Sequence, residues 1–185
     1  MSKTNGTEEQ RRIKKILDGQ TGEYAFFVRT YSRQVLSLVS RMVADRSDAE
    51  ELSQDVFVKA FQALASFDGR SSFSTWLMRI AYRTALNFMQ RSRQQHISID
   101  DLPLADTTDD NLDTGREERI QLLETLLEQL PPDDRLLLQL YYYDDRPLRD
   151  IAYIMDAEPN ALAGRLYRIR KKLLLMIKQK EDETE

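Results

Sequence analysis

Residues 47–93 read SDAEELSQDVFVKAFQALASFDGRSSFSTWLMRIAYRTALNFMQRSR. Their pattern decides the fold: two helices joined by a short polar bend. Ser47, followed three residues on by Glu50, makes a capping box and predicts a helix start at Asp48. Ala49, Leu52, Val56, Ala60 and Leu64 recur at steps of three and four, one apolar stripe. Phe57, Val58 and Phe61 fall off that stripe, among Glu51, Gln54 and Asp55. One face is thus expected to serve a core, and another mixes carboxylates with large apolar groups. The bend, Asp68-Gly69-Arg70-Ser71-Ser72, ends the helix and offers a serine to cap the next.

The second helix, predicted from Phe73 to Arg91, has a different character. Phe73, Trp76, Leu77, Ile80, Thr84 and Phe88 face inward in this reading, and Arg79, Tyr82, Arg83, Gln90, Arg91 and Arg93 surround them. No acidic residue occurs from Gly69 to Gln95. Guanidinium groups neutralise phosphate and rings stack on bases, so the mixture suits a nucleic-acid strand. It equally fits a solvated basic face over an aromatic core.

Ala49-Glu50-Glu51-Leu52, Gln54-Asp55-Val56-Phe57, Trp76-Leu77 and Ile80-Ala81 resemble the signature of bacterial RNA polymerase sigma factors, most closely the small two-domain extracytoplasmic-function type of the sigma-70 family. The family's usual Asn and Asp in the second helix stand here as Arg83 and Asn87.

The whole chain is in keeping with an all-α protein of two small helical domains. Of 185 residues, 6 are glycine and 5 proline, and leucine-rich helical periodicity runs nearly throughout. There is no cysteine, hence no disulfide framework and no thiolate metal site. No apolar run approaches the ~20 residues of a membrane span, and no signal sequence opens the chain, so a soluble cytoplasmic protein without membrane insertion is expected. The net charge of −4 argues against a protein that grips DNA unaided. Its distribution is uneven. Residues 1–95 carry 15 bases and 10 acids, residues 96–115 carry 6 acids and no base, and residues 116–185 carry 12 bases and 15 acids.

In chain order, Glu8 to Leu17 is a short charged helix, and Thr21 is placed to cap the next. There Tyr24, Phe27, Val28, Tyr31, Val35, Leu38, Val39 and Met42 form an apolar face. These and the central pair make a first domain, residues 1–95. Residues 96–115 lack helical period and read as an acidic linker. Asp109, Asn111 and Asp113 imitate the opening of a calcium loop. Thr114 replaces the turn glycine and Ile120 the bidentate glutamate, so no metal or cofactor is expected.

The second domain, residues 116–185, opens on a Thr114/Glu117 capping box. Its first helix carries Leu122, Leu123, Leu126, Leu127 and Leu130; Pro131-Pro132 then starts another, Asp133 to Tyr143. After the turn Asp144-Asp145-Arg146-Pro147 comes a short helix with Leu148, Ile151, Ala152 and Met155. A tight turn and a long basic helix with Leu162, Leu166, Ile169 and Leu173 inward complete the chain. This is a helix-turn-helix pattern, though an ordinary antiparallel helix pair would share it. Asn160, Ala163, Gly164, Tyr167 and Lys171 turn outward, with Arg165 and Arg168 flanking them. Arg165-Leu166-Tyr167-Arg168 and Arg170-Lys171-Lys172 resemble the family's DNA-reading helix, whereas Asp156 stands where the family's turn has glycine.

The resemblance implies an initiation subunit whose partners are core RNA polymerase, promoter DNA and an anti-sigma factor, with no small-molecule substrate. It implies polymerase contact by Glu51, Gln54, Asp55 and Phe57. Arg70, Phe73, Trp76, Arg79, Arg83 and Asn87 would meet the −10 element, and the last helix the −35 element. An enzyme is disfavoured: the single histidine, His96, has no cysteine partner, and no Gly-rich phosphate loop occurs. The remaining alternative is a helix-turn-helix regulator acting alone, which would bind its operator at nanomolar levels without polymerase.

Overall fold

The structure, a computed structural model, describes residues 3–95 and 116–182. The acidic linker, His96, the calcium-like run and Thr114 lie outside the described residues. Eight α-helices occur among the described residues: α1 (Lys3–Leu17), α2 (Ala25–Met42), α3 (Arg46–Gln62), α4 (Phe73–Gln95), α5 (Arg116–Glu128), α6 (Pro132–Leu138), α7 (Leu148–Met155) and α8 (Pro159–Asp182). No strand is present among them, as an all-α reading requires.

In the first unit, α2, α3 and α4 pack on one another, and α1 closes one side. Most of the α2 stripe buries as its periodicity predicts: Phe27, Tyr31, Val35, Leu38, Val39 and Met42 are buried, whereas Val28 and Tyr24, which precedes α2, are half-buried. Phe27 meets Phe73 with ring centroids 4.3 Å apart, and Tyr31, Phe67 and Trp76 gather around the same ring. Each such aromatic contributes roughly 1.5–3 kcal/mol by leaving water. The Tyr31 hydroxyl reaches the buried Glu9 carboxylate of α1, and Glu23 binds Arg12 and Lys15. The N-terminal helix is thereby tied to the bundle.

Several boundaries differ from the sequence reading, and α4 runs past the expected Arg91 to Gln95. The first helix begins at Lys3, well before Glu8. Thr21 caps nothing; a 3-10 turn, Thr21–Tyr24, leads into α2 without a side-chain cap. The helix expected at Asp48 begins at Arg46, because Asp45 Oδ1 accepts the Asp48 N–H at 2.9 Å and takes the capping role from Ser47. The bend behaves as expected. Gly69 adopts φ +73, and Ser72 Oγ accepts the Thr75 N–H to start α4.

In the second unit, α5, α6 and α7 each pack on α8, whose Leu162, Leu166, Ile169 and Leu173 are buried as the stripe required. The helix expected from Asp133 to Tyr143 is α-helical only to Leu138 and widens into a π turn over Gln139–Tyr143. The Asp144 N–H reaches back five residues to Gln139 O, and Pro147 forbids continuation.

The two units touch. α4 packs on α7 and α2 on α6, so the buried residues of both form one cluster. Nothing in the periodicity of either half announces this contact.

Candidate nucleic-acid and polymerase interfaces

On α3, Glu51, Gln54 and Asp55 are exposed, with Val58 and Phe61 beside them. Phe57 is not. It is 8 % exposed, its carbonyl accepts the Tyr24 hydroxyl at 2.8 Å, and it belongs to the core. The helix lies between α2 and α4 and buries a wider arc than one stripe, so Phe57 fills the second neighbour's side. Val58 and Phe61 supply the exposed apolar groups on this face. They were already visible as off-stripe residues.

On α4 the six residues named for the −10 element separate into two groups. Phe73 and Trp76 are core residues that cannot stack on a base while the bundle is intact. Arg79, Arg83 and Asn87 follow at four-residue steps, and Arg83 and Asn87 are exposed. Arg70 is exposed in the bend, paired loosely with Asp68. Tyr82, expected at the surface, is buried. Burial and the facing Asp133 carboxylate push its hydroxyl pKa up to about 12.

Arg79 and Arg83 do not face solvent unopposed. Asp156, the residue that ends α7 in a left-handed conformation (φ 56, ψ 48), accepts Arg79 Nη2 at 2.5 Å and Arg83 Nη2 at 2.9 Å. Arg79 also donates to Tyr153 O at 2.8 Å and lies over the Tyr153 ring, 4.5 Å from its centroid. The side chains of Arg83 and Asp156 remain about half exposed.

On α8, Asn160, Ala163, Tyr167, Arg168 and Lys171 are exposed and Gly164 is half-buried, so the outward face stands where the sequence put it. Arg165 departs from it. Its Nε donates to Asp134 Oδ1 at 2.5 Å, which ties the half-buried side chain to α6. Gly164 is informative for the opposite reason. A Cβ there would meet nothing closer than Arg168 Nη1 at 3.6 Å, so packing does not demand glycine, although glycine costs about 1 kcal/mol of helix propensity relative to alanine. Bare backbone on an exposed, basic helix admits a close approach by a groove. If this face meets nucleic acid, Gly164→Ala should raise stability by roughly 1 kcal/mol in denaturant titration yet weaken DNA binding, and equal DNA binding would remove Gly164 from the candidate interface.

No group of three or more potential metal ligands occurs among the described residues, and no helix there is long and apolar enough to cross a membrane.

A helical bundle with a mixed apolar–acidic face, joined to a helix-turn-helix unit with a basic outer face, defines a two-part DNA-associated protein. Residues 27–95 match the model for Sigma-70 region 2, and residues 120–173 that for Sigma-70, region 4. The chain is 31% identical over 175 residues to the ECF RNA polymerase sigma-E factor of Escherichia coli K12, covering 88% of this chain and 91% of that protein. It is 28% identical over 175 residues to the RNA polymerase sigma-H factor of Pseudomonas aeruginosa, covering 89% and 91%. Its fold resembles that of the sigma factor RpoE of Bartonella quintana, solved with the anti-sigma factor NepR (TM-score 0.61, 20% identity, 84% of this chain and 97% of that one). It also resembles CnrH, solved with the cytosolic domain of CnrY (TM-score 0.63, 19% identity, 91% and 96%). The chain belongs to the extracytoplasmic-function group of the sigma-70 family, whose members direct transcription initiation. Membership sets aside the regulator that acts alone.

Proposed function

We propose that residues 1–95 dock on core RNA polymerase and engage the −10 element, that residues 96–115 tether the units, and that residues 116–185 read the −35 element. The protein then works in the cytoplasm as a dissociable binding subunit and not as a catalyst, under the control of an anti-sigma factor. The observation that carries this reading is the composition of α4. Arg79, Arg83 and Asn87 recur along a helix without a single acidic residue, above a core of Phe73 and Trp76 that holds them in place. Polymerase contact falls to Glu51, Gln54 and Asp55, with Val58 and Phe61 supplying apolar area beside the carboxylates. Strand and groove contact falls to Arg70, Arg79, Arg83 and Asn87 on one unit and to Asn160, Ala163, Gly164, Tyr167, Arg168 and Lys171 on the other.

The test is competition for core polymerase. Asp55→Arg reverses an exposed charge and should leave the helical circular dichroism spectrum and the melting curve of the protein unchanged. It should weaken displacement of a reference sigma factor by roughly tenfold, the size expected for one mispaired interfacial charge. Normal displacement by Asp55→Arg would show that this face of α3 does not meet the polymerase.

A further inference from the structure

Arg146 stands in the turn before α7, and the backbone around it is fixed. Asp145 holds a left-handed conformation (φ 47), the Arg146 N–H donates to Leu140 O at 2.9 Å, and Pro147 follows. The side chain is half-buried against the start of α4. Its Nη2 donates to Ser74 Oγ at 3.0 Å, and Nη1 lies 3.5 Å from Thr75 Oγ1. Its Nε is buried and has no protein partner. No carboxylate among the described residues forms an ion pair with it. A guanidinium drawn partly out of water, with only hydroxyls to bond, lacks a counter-charge.

The same side chain forms one wall of a cleft of about 340 Å³, and α2 supplies the other with Arg33, Gln34 and Ser37. Arg33 and Ser37, four residues apart, share one side of that helix. The Arg33 side chain is exposed and makes no hydrogen bond or ion pair among the described residues. Gln34 Oε1 accepts the Ser74 hydroxyl at 3.3 Å, so the rest of its amide is N–H donors. Asp144 also lines the cleft, and its Oδ1 accepts Gln139 Nε2 at 3.1 Å. Among the described lining residues donors exceed acceptors, and positive charge exceeds negative. Beneath it the two units share one buried apolar cluster, so the spacing of the walls does not rest on the polar groups.

We propose that this cleft binds a small phosphorylated ligand, with the phosphate held between Arg33 and Arg146 and with Gln34 and Ser37 completing the donor set. A tetrahedral phosphate presents oxygens to both walls at once, whereas a planar carboxylate matches the fork of one guanidinium. The volume falls at the small end of the range for ligand sites. It admits a phosphate and a short part of the molecule that carries it. The site shares no residue with the outer face of α8 or with the Arg79, Arg83 and Asn87 row, so it does not depend on the role proposed for either.

The test is calorimetric titration of the full chain with inorganic pyrophosphate, at an ionic strength matched with chloride, beside a titration with mixed-sequence duplex DNA. The parent should bind pyrophosphate saturably at one site. Arg33→Ala should weaken that binding by roughly tenfold, the loss of one charge-assisted hydrogen bond. Its melting curve should match the parent's, because the side chain is exposed and unpaired among the described residues. Arg41→Ala removes another exposed arginine of α2, outside the cleft, and should bind pyrophosphate as the parent does. Absence of saturable binding above the chloride control overturns the site. Equal losses in Arg33→Ala and Arg41→Ala would mean diffuse attraction to a basic surface and overturn it too. A loss confined to duplex DNA would make Arg33 a contact for backbone phosphate and overturn the small-ligand reading. None of these titrations contains polymerase, so the proposed function stands or falls separately.

Discussion

Phe73→Ala should destabilise the protein by about 3–5 kcal/mol, the range for truncating a buried phenylalanine. The side chain is 1% exposed and its ring is the hub of the aromatic cluster, 5.5 Å from Trp76 and 5.6 Å from Tyr31 between centroids, in addition to Phe27 at 4.3 Å. Removing it leaves a space that these rigid rings cannot close. A domain of this size has a net stability of only about 5–15 kcal/mol, so the loss should lower the midpoint of thermal unfolding by roughly 10 °C. Far-ultraviolet circular dichroism against temperature and denaturant measures it. A variant as stable as the parent, but poor in strand binding, would return Phe73 to the −10 contact that the family resemblance implied.

The second large effect concerns α8. Leu166 is 3% exposed and its inward stripe joins α5, α6 and α7. Leu166→Ala should cost about 2–5 kcal/mol. Arg168, two residues on, is exposed and has no role in the stripe. Arg168→Ala should leave the melt within about 0.5 kcal/mol of the parent while lowering promoter affinity of the holoenzyme. If Arg168 reads a base, specificity should relax by roughly 1–3 kcal/mol at one position of the −35 element. If it meets phosphate, all sequences should weaken alike and the salt slope should fall by about one. Holoenzyme binding to a library of upstream elements across salt separates the two. Arg168→Ala binding every element as the parent does would leave α8 a purely structural helix.

Periodicity alone carried most of the fold. The stripe of α8 buried residue for residue, and that of α2 did so except at Tyr24 and Val28, which stay half-buried. Periodicity failed at two positions. Phe57 and Tyr82 looked outward by spacing, but α3 lies between α2 and α4, and Asp133 of α6 faces Tyr82. Capping was legible in kind and not in position: Asp45 and Ser47 are both competent caps, and the chain's approach direction selects the first. The least legible feature was the contact between units. Asp156 lies 77 residues from Arg79 and 73 from Arg83, and no local pattern relates it to them. The one hint was Asp156 itself, an aspartate at a turn position where the family has glycine. Arg165 shows the converse. Its position in a basic run resembled a DNA contact, and only the structure shows it paired with Asp134 of α6.

The central claim is that this chain gives polymerase its promoter. Its most direct test is run-off transcription with core RNA polymerase from the same source, with and without the protein, on a library of upstream sequences. Discrete transcripts that need both the protein and a two-part upstream element are the predicted result. Transcripts indifferent to the added protein, or tight operator binding that needs no polymerase, would contradict it.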